Sequence, residues 1–149
     1  MTIDYLINPV KMGGIVKDTY PDGRVKIYLN GRLGVIKVPR KLIRGDEMLK
    51  PGHELEFYFS YIQAVDAPLD YDASDMTPDH EIDPCLVGGK LIDVNDTAVT
   101  VEVMDGLGEI TVPRRWLIAS QTPRPGIDTE FYFSCMNVTG KRDLPQRFI

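Results

Sequence analysis

The amino-acid sequence predicts an all-β protein made of two duplicated small five-stranded barrels in tandem. Three observations lead to this fold class. Apolar and polar residues alternate with a period of two, which is the pattern of a half-buried strand. The same landmarks occur twice along the 149-residue chain. No α-helical apolar period longer than two turns is visible in it.

The internal repeat is clearest where "PGHELEFYFS" begins at Pro51 and "PGIDTEFYFS" begins at Pro125, 74 positions later. The same offset relates Leu33-Gly34 to Leu107-Gly108, Ile36 to Ile110, and Val38-Pro39-Arg40 to Val112-Pro113-Arg114. A period of this length corresponds to a whole small domain rather than to a solenoid unit. We therefore divide the chain into a first half, residues 9–65, and a second half, residues 84–149.

Residues 66–83 join the two halves and are predicted to be an acidic linker. The segment contains seven carboxylates and no lysine or arginine, so its charge is −7 while that of the whole protein is −5. The remainder of the chain carries +2, with +3 before the linker and −1 after it. The acidic balance of the protein therefore describes the linker rather than the predicted barrel surfaces.

The first three strands of each half follow in order. Gly14 and Gly89 mark a first strand, and "RVKIYL" then places Val25, Ile27 and Leu29 on one face of a second. "AVTVEV" repeats this alternation in the second half. Asn-Gly and Asp-Gly follow these runs and predict tight hairpin turns, which return a third strand antiparallel to the second.

A proline ends the third strand of each half, because it removes a hydrogen-bond donor from the ladder. After Pro39 and Pro113 we predict one short helical turn before the Pro-Gly pair. In the first half this turn lies within "RKLIRGDEML", and in the second half within "RRWLIAS".

A long fourth strand carries the predicted core of each half. In the first half it places Leu55, Phe57, Phe59 and Tyr61 on the core face, and Glu56, Tyr58, Ser60 and Ile62 on the other. The second half repeats the pattern, so each pair of phenylalanines is expected to centre a barrel of its own. A fifth strand is predicted at "LPQRFI", residues 144–149, and none is evident in the first half.

The order of these landmarks resembles the RNA-binding repeat of ribosomal protein S-one, a five-stranded oligonucleotide-binding barrel. The resemblance is carried by "GIV" at Gly14, the alternating second strand, "GVIKVPRKL" at Gly34 and "PGHELEFYF" at Pro51. It implies an oligonucleotide-binding fold in each half and RNA as the ligand. A Src-homology-like five-stranded barrel is the alternative fold.

A cluster of basic residues near aromatic rings is the candidate nucleic-acid-binding site. Cations attract phosphates, and bases stack on exposed rings at about 1–3 kcal/mol per base. The candidates are Arg32, Lys37, Arg40, Lys41 and Arg44, with Tyr28 and Tyr58 as the stacking residues. The alternative interpretation is an ordinary solvated face, since a charge of +3 is modest for phosphate binding.

Three further features have structural interpretations. Val-Pro-Arg occurs in both halves, so Arg40 and Arg114 are expected to pair with a carboxylate and fix the turn that follows the third strand; the alternative is that both guanidinium groups project to one ligand. Tyr58 and Tyr132 point away from the predicted core, which is typical of a binding face or of a seam between the two barrels. Trp116, the only tryptophan, is predicted to fill the second core.

These features predict a non-enzymatic protein that binds RNA or another single-stranded nucleic acid. The alternative is a protein-interaction or structural adaptor that uses exposed strands and tyrosines to bind a partner protein or a second copy of the chain.

The remaining composition predicts no catalysis, cofactor, metal or membrane partner. No nucleophile stands in a recognisable motif with a base, and two histidines are too few for a metal cluster. Cys85 and Cys135 lack metal-type spacing and are expected to be reduced core residues. The absence of a signal-peptide pattern predicts a cytoplasmic protein.

Overall fold

The computed structural model describes residues 7–32, 34–45, 48–71, 76 and 83–141. These residues form strands joined by short turns, which confirms the all-β class. The first half contributes Val10–Thr19 (β1), Arg24–Leu29 (β2), Val35–Pro39 (β3), His53–Phe59 (β4) and Ile62–Val65 (β5). The second half contributes Cys85–Val94 (β6), Ala98–Val103 (β7), Gly108–Pro113 (β8), Leu117–Ile118 (β9), Asp128–Phe133 (β10) and Asn137–Lys141 (β11).

Short 3-10 helices lie where the sequence predicts turns. The hairpin β2–β3 turns through Asn30–Arg32 and the hairpin β7–β8 through Met104–Gly106. Arg40–Leu42 follows the proline of β3, and Arg114–Trp116 follows the proline of β8. The predicted hairpins and turns are thus confirmed. None of the helices in the described ranges is long and apolar enough to cross a membrane.

All eleven strands belong to one sheet. Eight of them form a closed ring in the order β4-β1-β2-β3-β8-β7-β6-β10, which is completed by pairing of β10 with β4. The structure confirms a barrel-like class and corrects the expectation of two separately closed five-stranded barrels. It has a single ring, to which each half gives four strands.

The physical reason for the single ring lies in the edges of each half. Strands β1–β4 form a four-stranded sheet whose edges are β3 and β4. Four strands are too few to enclose a core, whereas about eight give an interior that side chains just fill. Because β3 pairs with β8 and β4 with β10, no edge of the ring stays open.

The two junctions of the ring join equivalent positions of the halves. At β3–β8 the partner of Ile36 is Ile110, and at β4–β10 the partner of Phe59 is Phe133. Both pairs are separated by 74 positions, the offset of the sequence repeat. The halves therefore meet in a reciprocal way, as the two subunits of an isologous dimer do.

Two serine side chains complete the junction between β4 and β10. The backbone N–H of Tyr58 donates to Ser134 Oγ, and that of Tyr132 donates to Ser60 Oγ, both at 2.8 Å. Ser60 and Ser134 are buried. The backbones of the two tyrosines thus lie at the seam between the halves.

At the junction between β3 and β8, glycine allows the two backbones to approach each other closely. A methyl group on Gly34 would collide with the carbonyl group of Thr111, and one on Gly108 would lie 2.5 Å from the carbonyl oxygen of Lys37. Gly108 also has a φ of 141°, which side-chain-bearing residues rarely adopt. These glycines are the Leu-Gly landmarks of the repeat, and the junction of the halves explains them.

One aromatic core fills the ring. The ring of Phe59 lies 5.6 Å from that of Phe131 and 6.1 Å from that of Phe133, and Phe57 lies 6.2 Å from Phe133. All four are fully buried. Trp116 is buried as predicted, and its ring contacts Phe59 of the other half at 5.9 Å. The phenylalanine pairs expected to centre separate cores therefore pack on each other.

The fourth strand ends earlier than its alternation predicts. β4 stops at Phe59 and β5 begins at Ile62; both pair antiparallel with β10, but their registers differ by one residue. Tyr61 is 52% exposed and Ile62 is fully buried, so the predicted faces of these two residues are reversed. The alternation of buried and outward-facing residues therefore holds within β4 and not beyond its end at Phe59.

The last strand of each half pairs with a strand of the other half. β5 pairs with β10 and β11 pairs with β4, so each lies on the other half. β9 pairs with β5. The first half therefore has a fifth strand that its sequence does not show. The strand predicted at 144–149 lies outside the described residues.

Part of the predicted linker packs on the second half. Tyr71 Oη donates to Glu130 Oε2 at 2.9 Å, and the other oxygen of this carboxylate accepts a 2.6 Å hydrogen bond from Gln63 Nε2. The Tyr71 ring covers Gly88, and a methyl group at this position would lie 2.5 Å from the ring. Met76 is also buried. The linker is therefore anchored at these positions.

The two thiols differ in accessibility. Cys135 is buried and Cys85 is half-buried, and the two are not joined by a disulfide. Burial raises the pKa of the Cys135 thiol to about 11, because the low-dielectric interior disfavours the thiolate. The raised pKa means that the folded state favours the protonated thiol. Stability is therefore retained below an ordinary thiol pKa and falls as the pH rises toward 11.

Alkylation tests this difference. At pH 8 in native buffer, a thiol reagent is expected to modify Cys85 and to leave Cys135 unmodified, since the thiolate is the reactive form. In denaturant both are expected to react at similar rates. Mass spectrometry of the peptides reads out each site, and fast native labelling of Cys135 would contradict its burial in the ring.

Candidate nucleic-acid interface

The outward side of β2 carries cations and an aromatic ring. Arg24, Lys26 and Tyr28 alternate with the buried residues Val25 and Ile27. The alternation follows from the pleat of the strand, which sends successive side chains to opposite faces.

Two neighbouring residues extend this surface. Tyr20 lies at the turn before β2 and its N–H donates to the carbonyl oxygen of Arg24 at 2.9 Å. Lys37 lies on β3 as the direct partner of Lys26. We call this set the β2 face, and it comprises Tyr20, Arg24, Lys26, Tyr28 and Lys37.

The rings of the β2 face are already in contact with its cations. Arg24 Cζ lies 5.4 Å from the centre of the Tyr20 ring, and Lys26 Nζ lies 5.6 Å from that of Tyr28. Both distances are within the range of a cation–π contact. Arg24 also donates from Nε to Asp22 Oδ2 at 2.8 Å. The geometry holds positive charge beside each ring.

Lys26 and Lys37 place two like charges directly opposite each other. Side chains at such positions have Cβ atoms about 4.5–5.5 Å apart, and like charges there are destabilising. The side chain of Lys37 has no hydrogen-bond or ion-pair partner among the described residues. A phosphate between the two ammonium groups would relieve this repulsion.

Arg40 is committed to its own turn. Its Nη1 donates to the carbonyl oxygen of Ile43 at 2.6 Å and its Nη2 to that of Gly45 at 2.9 Å. Arg114, at the equivalent position, donates to the carbonyl oxygen of Asn95 at 3.1 Å. Arg40 therefore binds carbonyl groups of its own turn, whereas Arg114 binds the turn between β6 and β7. Both contacts agree with a structural role, but these acceptors are backbone carbonyls and not the carboxylates expected from the sequence.

Arg44 and Lys41 do not join the β2 face. Arg44 Nη1 donates to Asn137 Oδ1 at 3.1 Å, which ties the first half to β11. Lys41 is exposed on the 3-10 helix Arg40–Leu42. The side chain of Arg32 lies outside the described residues.

Tyr58 is also remote from Tyr28. On β1 the partner of Tyr58 is Lys11 and the partner of Tyr28 is Ile15, four residues further along. At about 3.3 Å per residue this separates the two rows by about 13 Å. Lys11 Nζ lies 5.7 Å from the Tyr58 ring, so this tyrosine has its own cation. Among the predicted side chains that the structure describes, Lys37 and Tyr28 alone lie on the β2 face.

Arg24 and Lys26 are absent from the predicted set, although a signal for them exists. The alternation that predicts Val25 and Ile27 as core also places Arg24 and Lys26 on the outward side with Tyr28. The predicted basic cluster groups residues that are close along the chain. The β2 face instead contains every second residue of β2, because successive side chains of a strand point to opposite sides.

The equivalent face of the second half has a different chemistry. Lys26 and Lys37 correspond to Thr100 and Thr111, whose hydroxyls are 3.0 Å apart. Tyr28 corresponds to Glu102, and Val35 of β3 to Glu109. The cationic surface therefore belongs to the first half alone.

The β2 face combines cationic side chains with aromatic rings. In the part of the chain that the structure describes, no three histidine, cysteine, aspartate or glutamate side chains are placed to hold a metal ion. Comparison with protein-family models, curated protein sequences and solved structures finds no match to this chain.

Proposed function

We propose that the protein binds single-stranded nucleic acid on the β2 face. The observation that carries the proposal is the opposed pair Lys26 and Lys37 beside the ring of Tyr28. The pair offers two cations to one phosphate, and the adjacent ring offers a stacking surface to a base.

The chemistry of the face favours a single strand over a duplex. Stacking on Tyr28 or Tyr20 requires an unpaired base with an accessible face, and such contacts tolerate any base. The face lacks the asparagine and glutamine side chains that commonly read base edges. The expected ligand is therefore bound with little sequence preference.

The resemblance to the RNA-binding repeat of ribosomal protein S-one supports the same class of ligand. This resemblance rests on the order of landmarks in the sequence. It does not extend to the closure of the sheet, because the strands form one ring of eight. Members of that family usually carry a histidine in the third strand, where this chain has Lys37 or Thr111. A lysine at this position supplies charge in place of a ring.

Titration of a fluorescently labelled RNA at low salt tests the proposal. Replacing Lys26 and Lys37 by alanine is expected to weaken binding and to reduce the slope of log affinity against log salt by about 0.7, because the phosphate contact that the two lysines share is lost. A matched double variant, Arg115→Ala with Arg124→Ala, removes two exposed cations of the second half. It is expected to keep the slope of the wild type.

Two outcomes would contradict the proposal. Either no RNA or DNA strand binds at low salt, or the Lys26 and Lys37 variant has the same affinity and salt dependence as the Arg115 and Arg124 variant. A single-stranded DNA of the same sequence, titrated in parallel, separates recognition of the 2′-hydroxyl from binding through phosphates and bases alone.

A further inference from the structure

We infer that Glu109 and Glu102 confine the bound strand to the first half, so that it runs along β2 rather than across the barrel. This inference rests on the proposed function and specifies the path of the ligand. It assigns the two carboxylates as the residues that limit how much of a strand the protein contacts.

The register of the sheet places these residues in one row. Lys26 of β2 pairs with Lys37 of β3, Lys37 pairs with Glu109 of β8, and Glu109 pairs with Glu102 of β7. Paired residues point to the same side of a sheet, and neighbouring strands lie about 4.7–4.9 Å apart. The row therefore changes from positive to negative within one strand spacing, at the junction between the halves.

Each carboxylate has a lysine as its cross-strand partner: Lys37 lies opposite Glu109, and Lys90 of β6 lies opposite Glu102 but forms its ion pair with Asp128. Glu102 is exposed, Glu109 is half-buried, and neither has an ion pair or hydrogen bond to a side chain in the described ranges. Both lie within about 10 Å of Lys37, which is the distance over which charges act at moderate salt. A phosphate that moved from Lys37 toward β7 would be repelled by each of them.

A carboxylate also bounds the other side of the face. Asp18 of β1 is the direct partner of Lys26. The cations of β2 and β3 thus lie between Asp18 on one flank and Glu109 on the other. A phosphate backbone that avoids both flanks must follow the direction of the strands, from Arg24 toward Tyr28, a path of about 13 Å at 3.3 Å per residue.

The charge reversal Glu109→Lys tests this boundary by a gain of binding. It would place three lysines in successive strands and open the second half to the ligand. For a labelled oligonucleotide of twelve nucleotides, affinity at low salt is expected to rise about three- to tenfold. The salt slope is expected to steepen by about 0.7, as for one added phosphate contact.

The control variant is Asp96→Lys, which makes the same charge change on the exposed turn between β6 and β7. It is expected to leave the salt slope unchanged. Glu102→Lys, at an exposed position, is expected to give a smaller gain than Glu109→Lys, because it lies one strand further from Lys37. It also keeps the test valid if a lysine directly opposite Lys37 disturbs folding.

The outcomes separate the inference from the function on which it rests. Wild-type binding with equal slopes for the Glu109→Lys, Glu102→Lys and Asp96→Lys variants would overturn the boundary and leave the nucleic-acid site in place. Failure of the wild type to bind any single strand at low salt would overturn both.

Discussion

Replacement of Phe59 by alanine is expected to lower the free energy of unfolding by about 3–5 kcal/mol, the usual cost of deleting a buried phenyl ring. Phe59 is fully buried, and its ring contacts Phe131, Phe133 and Trp116, which all belong to the second half. The loss should therefore destabilise the whole ring. Chemical denaturation followed by the fluorescence of Trp116, the only tryptophan, measures the shift.

A second variant separates this global effect from a direct contact with the tryptophan. Ile27 is buried on β2 in the first half, and Ile27→Ala is expected to cost about 2–5 kcal/mol. The transition reported by Trp116 should move to lower denaturant in this variant also. The surface variant Met48→Ala, at a residue 77% exposed, should leave it in place. An unmoved transition in Ile27→Ala would mean that the halves fold independently.

Cutting the chain within the linker is expected to leave the barrel intact. Residues 72–75 can be replaced by a protease recognition sequence and cleaved in the folded protein. The two fragments should then elute together at the size of the uncut protein and separate only in denaturant. The reason is that β3–β8, β4–β10, β5–β10 and β11–β4 all join one half to the other.

The uncut variant with the same insertion is the control for this experiment. Cleavage should make unfolding depend on protein concentration, because the fragments must then find each other to refold. Separation of the fragments in native buffer would show that each half closes around its own core, as the sequence predicts, rather than around a shared one.

The pattern of buried residues could be predicted from the sequence because it depends on local geometry. Val25, Ile27 and Leu29 alternate with polar residues, and all three are buried. Likewise, the Pro-Arg pairs at Pro39 and Pro113 do end their strands and begin 3-10 helices. Strand alternation and the missing N–H of proline act over a few residues, so a linear sequence displays them.

The candidate site was only partly predictable. Lys37 and Tyr28 lie on the β2 face, whereas Arg40 binds carbonyl groups of its own turn and Arg44 binds Asn137. A guanidinium group seeks the nearest acceptors, and these are set by how the chain turns and by which distant strand lies alongside. Charge counts along the chain do not contain that information.

The sequence by itself determined that the protein is all-β, where the four strands that each half gives to the ring lie, and that its two parts repeat at an offset of 74 positions. Only the tertiary structure decided that these parts close one ring. Each half leaves two edge strands, β3 and β4 in the first and β8 and β10 in the second, whose backbone groups need partners, and the sequence does not show which strands supply them. The choice depends on enclosing a core, which eight strands achieve and four do not.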